Sequence, residues 1–403
     1  MAEDRIAVRC CIAGGGPAGM MLGLLLARRG IDVLVLEKHS DFLRDFRGDT
    51  IHPSTLEVMH ELGLLDALLR LPHQEVQTLS AQIGAVTVTI ADFRHLPTHC
   101  KFVALMPQWD FLNFLLGEAK RYPTFRLLTD TAAAELIEEP GRITGLWAET
   151  KTGRLEIRTD LVVAAGGRHS VLRAKAGLEV MTLGAPMDVL WMRLSRRPAD
   201  PPQTLGRIDA GRMMVMLNRG SYWQCAFVIR KGGFEAIHKA GLPAFRETIV
   251  GLVPWLDDRT AELAEWSDVK LLTVAVDRLR RWYRAGLLCI GDAAHAMSPI
   301  GGVGINLAIQ DAVATANILG PVLLRAAPSE GELAAVQRRR HWPTAMTQHV
   351  QILVQDRVIT RILAGTGGGR PALVVRMLKW FPILRRLPAR LMGVGFRPEH
   401  IRQ

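Results

Sequence analysis

The sequence predicts an α/β fold: an open, largely parallel sheet, an antiparallel β-rich insertion, and a run of C-terminal helices. Three observations carry this. A buried strand, a glycine turn, a helix and a second strand follow one another over residues 6–37. Strand-like segments then crowd between 186 and 230, and helical periodicity takes over from 305 onward. Alternation of strand and helix marks a parallel sheet, and an interruption by strands alone marks a second unit set into the first.

Residues 6–13 (IAVRCCIA) read as a short buried strand, and 17–30 as a helix with Pro17 early and Gly30 as its stop signal. Residues 31–37 (IDVLVLE) read as the second strand. Residues 54–70 read as one helix, with Ser54 as its N-cap and Leu56, Met59, Leu62 and Leu65 on one face. Residues 83–90 read as a strand, 109–121 as a helix, and 155–165 as a buried strand running into Gly166 and Gly167. After the β-rich stretch, 287–291 read as another buried strand, 305–320 as a helix and 331–363 as long and helical. The expected units are 1–80, 98–180 and 275–330 for the parallel domain, 81–97 and 181–274 for the β-rich domain, and 331–403 for the helical segment.

With 403 residues the chain is long enough for two or three such units at ~150 residues each. Its 49% hydrophobic and 22% charged content is that of a globular protein, not of a disordered, fibrous or coiled-coil one. Five cysteines without C-x-x-C spacing argue against a disulfide framework or zinc ribbon and for a reducing, cytoplasmic setting. The net charge of +11 reads either as an ordinary basic surface or as attraction to anionic partners (nucleic acid, acidic lipid or a phosphorylated cofactor); no Lys-rich tail or RNA-binding signature accompanies it, so nucleic acid is not expected. No signal peptide is evident, and no apolar run reaches the ~18 residues of a spanning helix.

The first site is Gly14-x-Gly16-x-x-Gly19, with Pro17 and Ala18 opening the helix. Gly14 permits the tight turn, Gly16 lets the backbone approach a pyrophosphate, and Gly19 lets helix and strand pack closely. The helix N-terminus then offers N–H groups and a positive dipole end to the phosphates. Glu37, at the end of the second strand and followed by Lys38, is placed to accept from ribose hydroxyls and favours an unphosphorylated adenosine ribose. With 37 glycines in the chain, chance alone yields about 0.3 such matches, so the Rossmann-type context carries the assignment. The second site is Gly291-Asp292 at the end of a buried strand, followed by Pro299 and by Gly301, Gly302 and Gly304 ahead of a helix opening near Ile305 and Asn306. Amides free at that helix start suit a negative charge that comes and goes.

Taken together these motifs resemble the FAD-dependent aromatic hydroxylases, the single-component flavoprotein monooxygenases of the para-hydroxybenzoate hydroxylase type, over roughly residues 5–400. The resemblance implies a Rossmann-type FAD-binding domain, with Arg47 (in Phe46-Arg47-Gly48) and Gln108 as further FAD contacts and Asp292 on the ribityl chain. Pro299, Gly301 and Gly302 would border the flavin and substrate pocket, the Gly301–Gly304 amides facing the flavin pyrimidine edge. It further implies NADPH or NADH as co-substrate, O2, a flavin C4a-hydroperoxide and an aromatic or similarly electron-rich small-molecule substrate. No protein nucleophile is needed, and no G-x-S-x-G elbow is found. Two alternatives share both glycine motifs: a reductase or dehydrogenase of C=C bonds like the prenyl reductases, and a non-catalytic FAD-binding protein. A halogenase would carry a W-x-W-x-I-P segment, which the chain lacks.

One position departs from the family. Where an Asp-Gly pair usually precedes a downstream Ser and Arg, this chain has Gly166-Gly167 before Ser170 and Arg173. That bears on handling of the nicotinamide cofactor, and it leaves Arg168 and Arg173 as either phosphate contacts or ordinary surface arginines. His295 reads as a structural residue, while His52 and His169 are ambiguous; the histidine spacing gives no metal site. Trp191, Tyr222, Trp223 and Phe227 either line an aromatic pocket or pack the insert. The basic, apolar tail at 371–395 either packs as helices or touches an anionic membrane surface. The chain is expected as a monomer or homodimer.

Overall fold

The computed structural model describes residues 4–43, 50–201, 204–365 and 373–402. The chain opens with β1 (Asp4–Ala13), α1 (Pro17–Arg28) and β2 (Val33–Leu36). α2 (Pro53–Glu61) and α3 (Leu65–Leu69) follow, then the hairpin β3 (Thr78–Ile83) and β4 (Val86–Asp92). After α4 (Gln108–Ala119) come β5 (Phe125–Leu128), β6 (Ala132–Glu139), β7 (Arg142–Thr150) and β8 (Gly153–Ala164). Beyond α5 (Val171–Lys175) lie β9 (Met187–Ser195), β10 (Leu205–Asp209), β11 (Arg212–Asn218) and β12 (Tyr222–Arg230). Helices α6 (Phe234–Ala240) and α7 (Leu242–Leu252) precede β13 (Lys270–Leu272), β14 (Tyr283–Arg284) and β15 (Leu287–Cys289). The chain closes with α8 (Gly304–Leu323), α9 (Glu330–Val354), α10 (Thr360–Leu363), α11 (Leu373–Trp380) and α12 (Arg386–Gly393).

Two sheets organise the molecule. The first has the order β14–β15–β8–β1–β2–β5, extended by β7 on β8 and β6 on β7. β1 runs parallel to both β2 and β8, with Ile12 opposite Val35 on one side and Val163 on the other. The strand order therefore reverses at β1, and ligands bind α/β sheets in the crevice that such a reversal opens at the carboxyl ends of the strands. The second sheet has the order β13–β9–β12–β11–β10–β3–β4 and is antiparallel except between β3 and β10. The mixed parallel sheet with an inserted antiparallel one is the fold class expected.

The parallel sheet is buried on both faces because its strands are uninterrupted apolar runs. Ile12, Val33, Leu34, Val35, Val162 and Val163 are fully buried, and α1 lays Met20, Met21, Leu22 and Leu26 against them. Truncating one such side chain to alanine costs about 2–5 kcal/mol. The antiparallel sheet divides its side chains by strand alternation. Leu190, Met192, Met214, Met216, Trp223, Cys225 and Phe227 pack one face onto α7. Met187, Val189, Ala226 and Val228 lie on the other, toward Ile300, Ile359 and Val274.

Three local expectations change. The helix expected at 54–70 is two, because Gly63 takes φ +73° and breaks it; the cap position belongs to His52, with Pro53 as the first helical residue and Ser54 buried inside. The strand expected at 83–90 is a hairpin that turns at Gly84, φ +57°. The segment 331–363 stays helical but widens into a π-turn at Gln355–Ile359.

Candidate flavin site

At the first glycine turn, the structure shows why each glycine is needed. A Cβ on Gly14 would lie 2.4 Å from the Ala165 carbonyl oxygen, and one on Gly19 would lie 1.9 Å from the Gly14 oxygen. One on Gly16 would meet nothing within 4 Å. Gly14 and Gly19 thus serve the close approach of strand, turn and helix, while Gly16 opens onto free space at the start of α1. The Glu37 carboxylate accepts the Gly15 N–H at 3.0 Å through one oxygen and the His39 N–H at 3.1 Å through the other. Lys38 beside it is exposed, Pro17 is half-buried and Ala18 buried.

The second turn packs directly on the first. A Cβ on Gly291, which has φ +60°, would lie 3.1 Å from Ala18 Cβ and 3.3 Å from Ala308 Cβ. The starts of α1 and α8 therefore converge on the carboxyl ends of β1 and β15. Asp292 is exposed at this edge, and Gln108 is half-buried at the start of α4. Arg47 lies outside the described residues.

Ahead of α8, Gly301 and Gly302 take φ +77° and +64°. A Cβ on Gly304 meets nothing within 4 Å, whereas one on Gly302 would lie 2.5 Å from Thr50 Oγ1. The expectation that the Gly302 amide is free needs correction: it donates to the Pro299 oxygen at 3.0 Å. The amides that open α8 are those of Gly304, Ile305 and Asn306, since the ladder starts with Leu307 N–H on the Val303 oxygen at 3.0 Å. Asn306 acts inside the protein. Its Oδ1 accepts from His52 N at 3.0 Å and Thr55 Oγ1 at 2.7 Å, which bolts α8 to α2.

His52 is 1% exposed, and its Nδ1 lies 2.7 Å from the Met392 oxygen. Burial pushes its imidazole down to about 4, so it is neutral, with Nδ1 as the donor. Its Nε2 is buried with no protein partner, and a Cβ on Gly302 would lie 3.5 Å from it. An acceptor thus stands unused beside the glycine loop.

Below the loop is a buried ionic cluster. Asp311 of α8, fully buried, accepts from the Gly291 amide at 3.0 Å, from Arg340 Nε at 2.9 Å, and lies 2.6 Å from His295 Nε2. Burial alone would raise its carboxyl, but His295 and Arg340 outweigh that and hold it below the usual range. His295 is structural, as expected. A second support is a ladder of buried glutamines along α9 and the π-turn that follows it. Gln348 donates to the Ala296 oxygen at 3.0 Å, and Gln351 donates to the oxygens of Ser298 at 3.0 Å and Ile300 at 2.9 Å. Gln351 also accepts the Ser298 N–H at 3.2 Å, and Gln355 donates to Ser298 Oγ at 2.6 Å. Sequence reasoning missed this ladder; its signal was three glutamines at i, i+3 and i+7, one stripe of a helix.

The remaining readings divide. Arg173 is tied to the Ala293 oxygen at 3.3 Å, to the Arg168 oxygen and to Asp277 at 3.7 Å, so it braces the turn from inside. Trp223 and Phe227 belong to the α7 face. Trp191 sits with Val189, Val215 and Ala226 on the opposite face. Among the described residues no His, Cys, Asp or Glu cluster is arranged to hold a metal ion.

These features fit FAD: two helix starts open onto free space where a Cβ would stand, a carboxylate follows the second strand, and a buried acceptor faces the loop. The comparisons agree. Residues 7–350 match the family model described as FAD binding domain. The chain is 33% identical over 381 residues to the 6-methylpretetramide 4-monooxygenase of Streptomyces rimosus, covering 94% of this chain and 91% of that one. It is 25% identical to the 4-methyl-5-nitrocatechol 5-monooxygenase of a Burkholderia species, covering 79% of this chain and 61% of that one. Among solved structures, the anhydrotetracycline hydroxylase OxyS of Streptomyces rimosus superposes with a TM-score of 0.77 at 21% identity, over 96% of this chain and 76% of that one. The chain belongs to the FAD binding domain family and, within it, to the FAD-dependent aromatic hydroxylases; it is a flavoprotein monooxygenase.

Proposed function

We propose that the enzyme hydroxylates a polycyclic, electron-rich aromatic compound, using O2 and NADPH or NADH. The observation that supports this reading is the apolar face of the antiparallel sheet opposite the glycine loop. Trp191, Met213 and Val215 are half-buried there, beside Ala226, Val228 and Ile300. A flat apolar ring system matches such a wall, and few polar groups are needed to orient it. The relative at 33% identity acts, by its name, on 6-methylpretetramide, and this chain would take a substrate of that class.

When bound, FAD accepts hydride from the nicotinamide and supplies the activation of O2. The chain's own residues hold, shield and polarise. Gly16 and the start of α1 would hold the pyrophosphate, Glu37 the ribose and Asp292 the ribityl chain. The Gly304 and Ile305 amides, at the positive end of a 20-residue helix, would stabilise negative charge on the flavin's pyrimidine edge. Pro299, Gly301 and Gly302 would border the pocket, with Met392 of α12 alongside, 3.5 Å from where a Cβ on Gly301 would stand. Gly166 is read as a handicap in nicotinamide-driven reduction. A cytoplasmic protein, monomeric or homodimeric, completes the reading.

The test is a screen of polycyclic phenols, indoles and quinone-like compounds against the FAD-loaded protein. The expected result is NAD(P)H consumption that a substrate stimulates, matched by O2 uptake and a product heavier by one oxygen atom. Consumption with addition of two hydrogens to a C=C bond and no O2 uptake would overturn it.

A further inference from the structure

The C-terminal hairpin has two faces. On the inner one, Ala389 packs with Phe93, Leu96 and Val103, joined by the half-buried Met392. The outer one carries Met377, Trp380, Phe381, Ile383, Leu384 and Leu387, from 36% to 64% exposed. Six large apolar side chains together in solvent are more than scattered surface residues. Lys379, Arg386 and Arg390 are exposed among them. The wider segment is one-signed: between Asp356 and Glu399 there are nine Lys and Arg and no Asp or Glu. That stretch holds most of the net charge of +11.

We propose that this face seats the enzyme on an anionic lipid bilayer. A second copy of the chain is a poor occupant, because a two-fold contact would bring the same cationic segment against itself. A bilayer of acidic lipids matches both features. The aromatic and aliphatic side chains at the turn between α11 and α12 enter the headgroup–acyl boundary, while Lys379, Arg386 and Arg390 meet the phosphates. The same hairpin presents Met392 to Gly301 on its inner side, so the lipid surface lies one helix away from the flavin loop. Seating on lipid requires no property of the flavin and is independent of hydroxylation.

The experiment is co-sedimentation of the full chain, FAD-loaded, with phosphatidylglycerol/phosphatidylcholine vesicles and with phosphatidylcholine vesicles alone. Binding is expected to the first, weakened at least tenfold in the second or in 0.5 M salt. Two variants separate the contributions. Phe381→Ser/Ile383→Ser/Leu387→Ser and Arg386→Glu/Arg390→Glu alter exposed side chains, and each is expected to lose binding at least tenfold with an unchanged melting temperature. Equal binding to both vesicle types, binding that survives both variants, or no binding would overturn the proposal. So would a concentration-dependent dimer, without vesicle binding, that the apolar variant abolishes.

Discussion

The Asp311 carboxylate receives the Gly291 amide at 3.0 Å, which ties the middle of a buried helix to the backbone turn that presents Asp292. The same carboxylate neutralises Arg340, itself 1% exposed. Asp311→Asn removes the nearer of the two carboxylates that face the buried guanidinium and leaves it with Glu399 at 3.5 Å. The expected cost is about 3–5 kcal/mol of stability, with loss of retained flavin. Denaturant unfolding and the flavin absorbance of the purified protein check both.

Gly16 and Gly19 separate cofactor binding from folding. Gly19→Ala drives a Cβ to 1.9 Å from the Gly14 oxygen, so the protein is expected to melt well below wild type even as apoprotein. Gly16→Ala meets no protein atom within 4 Å. Its apoprotein is expected to melt within error of wild type, while FAD affinity falls at least tenfold. Equal FAD affinity in Gly16→Ala would remove α1 from the site.

Acid sensitivity follows from His52. Its folded value of about 4 lies below the ordinary ~6.5 of the unfolded chain. The unfolded state therefore binds the proton first as pH falls. Stability is intact above about 6.5, declines toward 4 and loses about 3 kcal/mol in all. Asp311, held low, adds its own loss only at lower pH, as its folded carboxylate protonates. Urea midpoints between pH 7 and 4 are expected to slope for wild type and to flatten for His52→Gln.

Gly166 has room for the aspartate that the family resemblance implies there. A Cβ there would lie 3.6 Å from the Ala13 oxygen and 3.9 Å from Ser170, both ordinary contacts. Gly166→Asp is expected to keep stability within about 0.5 kcal/mol and to speed reduction of the flavin by NAD(P)H. Stopped-flow reduction measures it; an unchanged rate would make the glycine neutral.

The substrate wall is tested by filling it. Ala226→Trp places a large ring on the face shared with Trp191 and Val215. Flavin content is expected to hold, while substrate-stimulated NAD(P)H consumption falls at least tenfold.

The first βαβ unit was legible because its signals are local: a strand, three spaced glycines and an acidic residue lie within residues 6–37. The supports of the glycine loop were not. Asp311 meets Gly291 from 20 positions away and Gln351 meets Ser298 from 53, and no short-range pattern encodes such pairs. The split of α2 from α3 hinged on Gly63, whose positive φ a periodicity count does not register. The two faces of the antiparallel sheet depended on pairing, so Trp191 and Trp223 could not be parted until the register was known.

The glutamine ladder has a consequence for how the loop would behave beside a flavin of changing charge. Amides carry dipoles but do not titrate, so Gln348 on Ala296, and Gln351 and Gln355 on Ser298 and Ile300, grip identically in acid and in base. A carboxylate in their place would add a fixed anion near the start of α8 and blunt its positive field. Anchored by uncharged groups, the loop would keep the same hold whatever the charge of a flavin beside it.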